Sequence, residues 1–512
     1  MSAPSYGDKD PIAAIATPLA ESALALIRTA GGGQSFGGQS AIELLSRVFS
    51  RPEKLLSAPP NSIVHGWITE PDNGETHSPD GGARKKIDEV LVSVFRAPRS
   101  YTGEDGADIS CHGGIATVKA VMAVLKKAGF REALPGEFSF RAFMNGKLDL
   151  TRAESVMELV SAKTNKGREQ AVRRLAGVLQ KEVCEIKELL VQVLAGAEIY
   201  LDYSEDEFFG STSKEDNGDL VSGDVSDEEA GRLPERGMAE EAAHRLKSLA
   251  NLWQRERLYA EGVLAVIAGR PNAGKSSLFN YLIREDRSIV TNAPGTTRDW
   301  IEALISVEGI PVRLADTAGL REIKQSDEAE RIGIERSLEL LDKADLVIYV
   351  INGVDGVTAE DREFLAKYKG AALEACAVGE NPSPAKPLLV VWNKADITMP
   401  PLQLPNRPLP VSAKTGDGIF ELMHAIAGIM ETDNTGPKSD NSAGPGTLRQ
   451  KELIDTALDS VEEALSLAAK EEPLDIIAPL FRAAINALGE TTGEVSGEDI
   501  FDVMFSRFCV GK

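Results

Sequence analysis

The sequence predicts a multidomain α/β protein: an N-terminal α+β domain, then a helical domain made discontinuous by an inserted parallel α/β domain. Three observations predict this. Short apolar runs mix with helical stretches and Gly-rich turns up to about residue 148, and the apolar spacing becomes helical from about Leu150. From Gly262 to about Met430 apolar strands alternate with helices, after which helical spacing returns.

Composition bounds what such a chain can be. Its 512 residues leave room for several domains, each with its own core. No uncharged apolar run approaches the roughly 18 residues of a membrane span. The start, "MSAPSYGDKDP", has neither the basic nor the apolar region of a signal peptide, and its acidic, Arg-free character argues against a transit peptide. Cys111, Cys184, Cys376 and Cys509 are scattered with no C-x-x-C pair, which predicts free thiols and a cytoplasmic location. The net charge is -23. Nucleic acid is held by Lys and Arg that displace counterions, so this chain is expected to bind RNA poorly by itself. If RNA is its substrate, a basic partner or a local basic patch must do most of the holding.

The elements follow in order. "IAAIATP" and "EVLVSVFRAP" read as strands of the first domain. "LTRAESVMELVSAKTNKGREQAVRRLAGVLQKEVCEIKELLVQVLAGAEIYLDY" keeps helical spacing with almost no breakers and predicts two or three long helices. The acidic, Gly/Ser-rich stretch at about 204–237 reads as an exposed loop. Helix resumes at "MAEEAAHRLKSLANLWQRERLYAEG". "ETDNTGPKSDNSAGPG" is a linker by composition, and "TLRQKELIDTALDSVEEALSLAAK" and "PLDIIAPLFRAAINALG" are helical again. The expected division is 1–148, helical 149–261, inserted 262–432, linker 433–447 and helical 448–512. Such an insertion needs the inserted domain's two ends to lie close together.

Within the insert, "VLAVIAGRPNAGKSSLFNYL" sets a P-loop between an apolar strand and an amphipathic helix. Backbone N–H groups of Asn272, Ala273 and Gly274 and the helix start at Ser277 are suited to phosphates. Lys275 would reach the β- and γ-phosphates and Ser276 would ligate Mg2+. "LLVVWNKAD" supplies Asn393, Lys394 and Asp396. A carboxylate there accepts from guanine N1–H and its amine, a donor pair that adenine lacks. "LPVSAKTG" adds Ser412, Ala413 and Lys414 as the backing loop. With "PGTTRD" and "DTAG" (Asp316, Thr317, Ala318, Gly319) between, the order is that of a Ras-like P-loop GTPase domain, and GTP is the expected ligand. Position 320 is Leu where such enzymes usually carry a water-orienting Gln, and no residue is obviously presented as an arginine finger. Another group must orient water and neutralise charge.

"GRPNAGKSSL", "GTTRD", "DTAGLRE", "ERIGIER", "NKAD", "PGEFSFRAFMNGKLDL" and the terminal "FCVGK" occur in one order over nearly the whole chain. On these motifs the sequence resembles the MnmE (TrmE) family of tRNA modification GTPases. The resemblance implies a K+-stimulated GTPase that dimerises across its G domains, K+ standing in for the arginine finger. Carried over, its K+ ligands are Asn272, Thr291, Ala293 and Thr296, partly through backbone carbonyls. Asn292, Pro294 and Gly295 complete that switch loop beside GTP, and Thr297 joins Ser276 on Mg2+. The family's water-orienting carboxylate lies just before "RIGIER", which is Glu330. Its neighbours Asp327 and Glu328 read as a charged helix face, and "REIKQSDEAE" is about two residues longer than the family's usual spacing.

The resemblance further implies an N-terminal α+β folate-binding domain that dimerises and takes 5,10-methylene- or 5-formyl-tetrahydrofolate. Asp108 stands where the family more usually has the Glu that meets the pterin edge, and Arg28 and Lys147 match its basic folate contacts. Without the family, Arg28 and Lys147 would read as surface cations. His112 reads as a core or turn histidine with no metal-type spacing around it.

The tail "SRFCVGK" leaves Cys509 with competing readings. A C-a-a-X lipidation site is excluded by Gly511 and Lys512. An incidental cysteine is the default at a frayed end, but "IFDVMFSRF" predicts a packed tail. By resemblance the tail comes up beside the folate, with Lys512 on the cofactor and Cys509 near the transferred carbon. A thiolate adding to C6 of uracil would activate C5. Whether Cys509 is that nucleophile or positions the site stays open in the sequence.

The expected function is that of a homodimeric, K+-dependent GTPase in tRNA wobble-uridine modification. With an FAD-dependent partner, MnmG (GidA), in a heterotetramer or larger complex, it would add a (carboxymethyl)aminomethyl-type group to C5, the tRNA being held mostly by the partner. Two rivals stand beside it. A regulatory or ribosome-assembly GTPase switch would do no RNA chemistry and would usually append a basic RNA-binding domain. A folate enzyme of one-carbon metabolism with a regulatory G domain would show no RNA phenotype.

Overall fold

The computed structural model describes residues 6, 10–32, 40–71, 85–202, 233, 235–285, 302–316, 339–374, 387–401, 408–431, 443–495, 504–506 and 508–511. The chain forms two compact units, residues 1–157 with 486–512, and residues 158–485.

The first unit is built on a six-stranded sheet in the order β3-β4-β5-β2-β1-β6. Its strands are β1 (Ile12–Ile15), β2 (Ser22–Ala30), β3 (Ser62–Thr69), β4 (Lys86–Phe95), β5 (Gly106–Gly113) and β6 (Arg131–Glu132). All neighbours are antiparallel except β1 and β6. Period-two alternation makes the sheet two-faced: in β4, Val90, Val92 and Val94 are buried while Glu89 and Leu91 are exposed. Helices α1 (Ala41–Ser46), α2 (Pro52–Leu56) and α3 (Ile115–Ala128) precede the covering helix α4 (Glu137–Met144) in the chain. Helix α3 buries Val118, Val121, Met122 and Leu125, one stripe at helical spacing, and α1 adds Leu44 and Leu45 to the same core.

Among the described residues the opposite face is covered at one end only. There Phe138 of α4 packs with Ile12, Ala14 and Ala30. Toward β3 and β4, Leu24, Ile63 and Leu91 share the face and remain 65%, 67% and 47% exposed. The tail packs as its apolar run predicts: Phe505 and Phe508 are buried with Phe140 and Leu150.

The expected helices from Leu150 onward are α5 (Leu150–Ser161), α6 (Asn165–Leu175) and α7 (Val178–Asp202), followed by α8 (Arg236–Glu261). Helix α8 starts two residues before Met238, inside the stretch read as acidic loop, most of which lies outside the described residues. Ala239, Ala242, Leu246, Leu249 and Trp253 form its buried stripe, and α8 packs on α7 and α12 (Leu448–Ala468). After α12 comes α13 (Leu474–Thr492).

Between α8 and α12 lies a second six-stranded sheet, in the order β12-β11-β10-β7-β9-β8. Its strands are β7 (Val263–Gly269), β8 (Glu302–Val307), β9 (Ile310–Asp316), β10 (Leu346–Asn352), β11 (Leu388–Asn393) and β12 (Leu409–Pro410). All pairs are parallel except β8–β9. β7 and β10 are buried almost throughout, which is why their sequences are continuously apolar and not alternating. Helices α9 (Lys275–Glu285) and α10 (Ala359–Glu374) connect strands, and α11 (Ile419–Glu431) follows the last of them. The end of the compositional linker is packed: Ala443 is 2% exposed and Gly444 lies against Leu252 of α8. Among the described residues no helix is long and apolar enough to cross a membrane.

Candidate nucleotide site and a second cavity

The C-terminal ends of the parallel strands carry the sequence-predicted nucleotide groups, where ligands bind such sheets. β7 ends at Gly269 and α9 begins at Lys275, so the intervening loop and the helix N-terminus form one anion-binding turn. Gly274 is at φ 90, and a Cβ there would stand 2.1 Å from Asn393 Nδ2. Only glycine fits. Asn393, 2% exposed, donates to the Ala273 carbonyl (2.9 Å) and accepts from the N–H groups of Lys394 (2.8 Å) and Ala413 (3.2 Å). It therefore ties the phosphate loop to both base-recognition segments.

Ser412 Oγ donates to Asp396 Oδ1 at 2.7 Å and holds that carboxylate in the base-recognition position. Lys394 Nζ donates to the Asn272 carbonyl at 3.3 Å. Lys275 Nζ donates to the Arg270 carbonyl at 2.8 Å, bridging the loop that would receive phosphates. Ser276 Oγ donates to Asp316 Oδ2 at 2.7 Å, which joins the serine expected on Mg2+ to the first residue of the "DTAG" segment. Ser277 and Lys414 are exposed next to this cluster. A cradle closed by glycine, a lysine across it and a fixed carboxylate at the base position fit a guanine nucleotide. Thr291, Asn292, Ala293, Pro294, Gly295, Thr296 and Thr297 lie outside the described residues, as do Thr317, Ala318, Gly319, Glu330 and Lys512.

In the first unit a cavity of about 90 Å³ is lined by Arg28, Phe95, Tyr101, Thr102, Asp108 and Phe138, among others. Arg28 and Asp108 are register partners on β2 and β5, so the sheet itself brings them together. Arg28 Nε donates to Asp108 Oδ1 at 3.1 Å, and Nη1 donates to the Gly511 carbonyl at 3.2 Å. The guanidinium lies 5.9 Å from both the Tyr101 and Phe138 ring centroids. Tyr101 Oη is 2.9 Å from Ser139 Oγ, and burial above all raises the tyrosine's pKa. A charged pair between aromatic walls suits a flat heterocycle with a polar edge. Tyr101, Phe95 and Phe138 escaped the sequence reading, although "YTGED" and "PGEFSF" contain two of them.

Lys147 does not line this cavity. Its side chain lies over Gly103, in the turn next to Thr102. The tail reaches the site through the Gly511 carbonyl, and the Gly136 N–H donates to the Cys509 carbonyl at 3.3 Å, with Cys509 exposed. His112 corrects its sequence reading: it is neither a core nor a turn residue. It lies on β5 with 67% of its side chain exposed, Nδ1 2.7 Å from Asp88 Oδ1, because its strand position points to the open face. Among the described residues no cluster of His, Cys, Asp or Glu is suited to a metal.

A family model described as the MnmE helical domain matches residues 150–509, and one described as the GTP-binding protein TrmE N-terminus matches residues 11–147. A tRNA modification GTPase MnmE of Treponema denticola is 40% identical over 517 residues, covering 99% of both chains. One from Carboxydothermus hydrogenoformans is 36% identical over 516 residues, covering 98% of this chain and 100% of the relative. Among solved structures, Aquifex aeolicus Era bound to GDP and AlF4- is 24% identical at a TM-score of 0.24, covering 39% of this chain and 66% of that one. That likeness is too slight to carry any argument.

Proposed function

The chain belongs to the MnmE (TrmE) family and is a GTPase of tRNA modification, and from that premise we propose a fuller reading. It is a K+-dependent, homodimeric GTPase that works in the cytoplasm with an FAD-dependent partner of the MnmG (GidA) kind. Together they add a (carboxymethyl)aminomethyl-type group to C5 of the wobble uridine of certain tRNAs, the partner holding most of the tRNA. The observation that carries the nucleotide half is Asn393, which joins the phosphate loop at Ala273 to the Ala413 segment beside Ser412 and Asp396.

In this reading Asp396 selects guanine, and Lys275 turns from the Arg270 carbonyl toward the phosphates. Ser276 and Thr297 hold Mg2+, and Asn272, Thr291, Ala293 and Thr296 hold K+. These ions would supply the positive charge that an arginine finger supplies elsewhere. Glu330 orients the water that Leu320 cannot. Hydrolysis of GTP drives a conformational cycle and leaves the base chemistry to other groups.

The proposed domain roles keep the boundaries 1–148, 149–261, 262–432, 433–447 and 448–512, with the helical parts as the lever. The N-terminal domain dimerises, which is supported by the exposed apolar face of Leu24, Ile63 and Leu91. Arg28 and Asp108 of the cavity, with Lys147 from the neighbouring turn over Gly103 and Lys512 of the tail, hold 5,10-methylene- or 5-formyl-tetrahydrofolate, which supplies the transferred carbon. Cys509 acts at that transfer, and its exposure beside the Arg28 cavity supports the assignment.

GTP hydrolysis in K+ against Na+ at equal ionic strength tests this directly. We expect strong K+ stimulation, lost in Asn272→Ala and Glu330→Ala. Equal rates in the two salts would remove the ion from the mechanism and favour a regulatory switch.

A further inference from the structure

Strand β9 touches the nucleotide site at one end and the helical part of the second unit at the other. Its last residue, Asp316, accepts from Ser276 at 2.7 Å. Near its start, the Pro311 carbonyl oxygen lies 2.1 Å from where a Cβ on Gly262 would stand. Gly262 is the single residue between α8 and β7, so helix, strand and β9 meet at one packed joint. Tyr259, in the last turn of α8, is buried in the apolar core of the parallel sheet.

Helix α6 sits on this joint. The Tyr259 carbonyl oxygen is 2.7 Å from where a Cβ on Gly167 would be. Lys166 Nζ lies 3.5 Å from Tyr259 Oη and 5.1 Å from its ring centroid. The stem of Lys166 also lies along the β8–β9 turn, its Cγ and Cδ each 2.7 Å from the position of a Cβ on Gly309. Two adjacent residues of α6 thus bear on both routes to the nucleotide: α8 through β7 to the phosphate loop, and the β8–β9 hairpin to Asp316.

Arg174, about two turns further along α6, keeps the helix from yielding. Its guanidinium is 1% exposed, with Nε 2.7 Å from Glu158 Oε2 and Nη1 2.7 Å from Glu256 Oε2 of α8. Nη1 also lies 3.3 Å from the Gly444 carbonyl, in the chain returning from the inserted domain. One buried side chain therefore ties α6 to both crossings of the insertion.

We infer that α6 is the element through which the state of the nucleotide site reaches the helical part of this unit, with Lys166 as the positioning residue at the hairpin turn. The inference rests on the GTPase reading and deepens it by naming the route. Packed contacts at both ends make α6 a displacement carrier, and the stem of Lys166, not its charge, makes the hairpin contact. The coupling is reciprocal, so whatever biases α6 also biases nucleotide affinity.

Hydrogen exchange on the full-length protein, with GDP and with GDP plus aluminium fluoride in K+, tests it. In the unaltered protein, amides of 275–285 and of 165–175 differ between the two states. Lys166→Ala keeps GTP hydrolysis within about two-fold, as a change off the catalytic groups should. It also keeps the 275–285 difference but abolishes that at 165–175, and Lys166→Met, which retains the stem, restores it. The inference is overturned if Lys166→Ala keeps the α6 difference, if Lys166→Met behaves like Ala, or if α6 is silent while 275–285 responds. Silence at 275–285 as well would instead sink the nucleotide reading on which it rests.

Discussion

Cys111 and Cys509 show how position decides the chemistry of one side chain. Cys111 is 1% exposed on β5, its Sγ 3.6 Å from the Ala25 carbonyl. Burial, helped by the charge of Asp88, pushes its thiol from 9.0 to about 11. Cys509 is exposed on the tail. Iodoacetamide at pH 8 should therefore alkylate Cys509 in the native protein and leave Cys111 intact, because Cys111 is both buried and held protonated. Peptide masses after digestion read this out, and Cys111 should label only once the protein is unfolded. The sign of the pH effect follows. The folded state holds the Cys111 proton after the unfolded chain has released it, so this contribution to stability is fully present below about 9 and lost as pH rises through about 11.

Elements whose burial is uniform or strictly periodic were legible from sequence. The alternation of apolar runs with helices from Gly262 announced the parallel sheet in which β7 and β10 are buried, and the resumed helical stretch at Met238 announced α8. Asn393, Asp396 and Lys275 were legible for another reason: nucleotide chemistry dictates residue type at fixed spacing. Tyr101 was not, because an aromatic in a turn has no period and becomes a cavity wall only when the sheet brings Arg28 beside it. Residues 443–446 read as a free spacer because Gly/Pro composition reports backbone freedom and is silent on which side chains enclose the chain. The docking of the tail belongs to this scale as well. Gly136 caps α4 at φ 69, and a Cβ there would stand 2.6 Å from the Phe505 carbonyl oxygen and 2.8 Å from Phe508 Cβ. Gly136→Ala should release the tail without unfolding the sheet. Carboxypeptidase would then remove residues 504–511 much faster than in the unaltered protein, at unchanged far-ultraviolet circular dichroism; equal trimming would show that the tail is held elsewhere.

At the scale of the whole molecule, charge and connectivity set the terms. With a net charge of -23, the protein by itself should bind tRNA weakly, with affinity falling only gently from 50 to 200 mM salt because few phosphates are neutralised. Filter binding across that range checks it, and tight binding with a steep salt dependence would reveal a basic patch that the overall charge conceals. Connectivity has a consequence in time. The first unit draws on both ends of the chain, and Arg28 meets Gly511 across 483 positions of sequence. At ordinary synthesis rates of about 5–20 residues per second, the ribosome delivers that partner roughly 25–100 s after Arg28 itself. Through that interval the slot over Gly136 stands open and apolar while the inserted domain emerges and folds. The nascent first unit is therefore a natural client for a chaperone until residues 504–511 have been made.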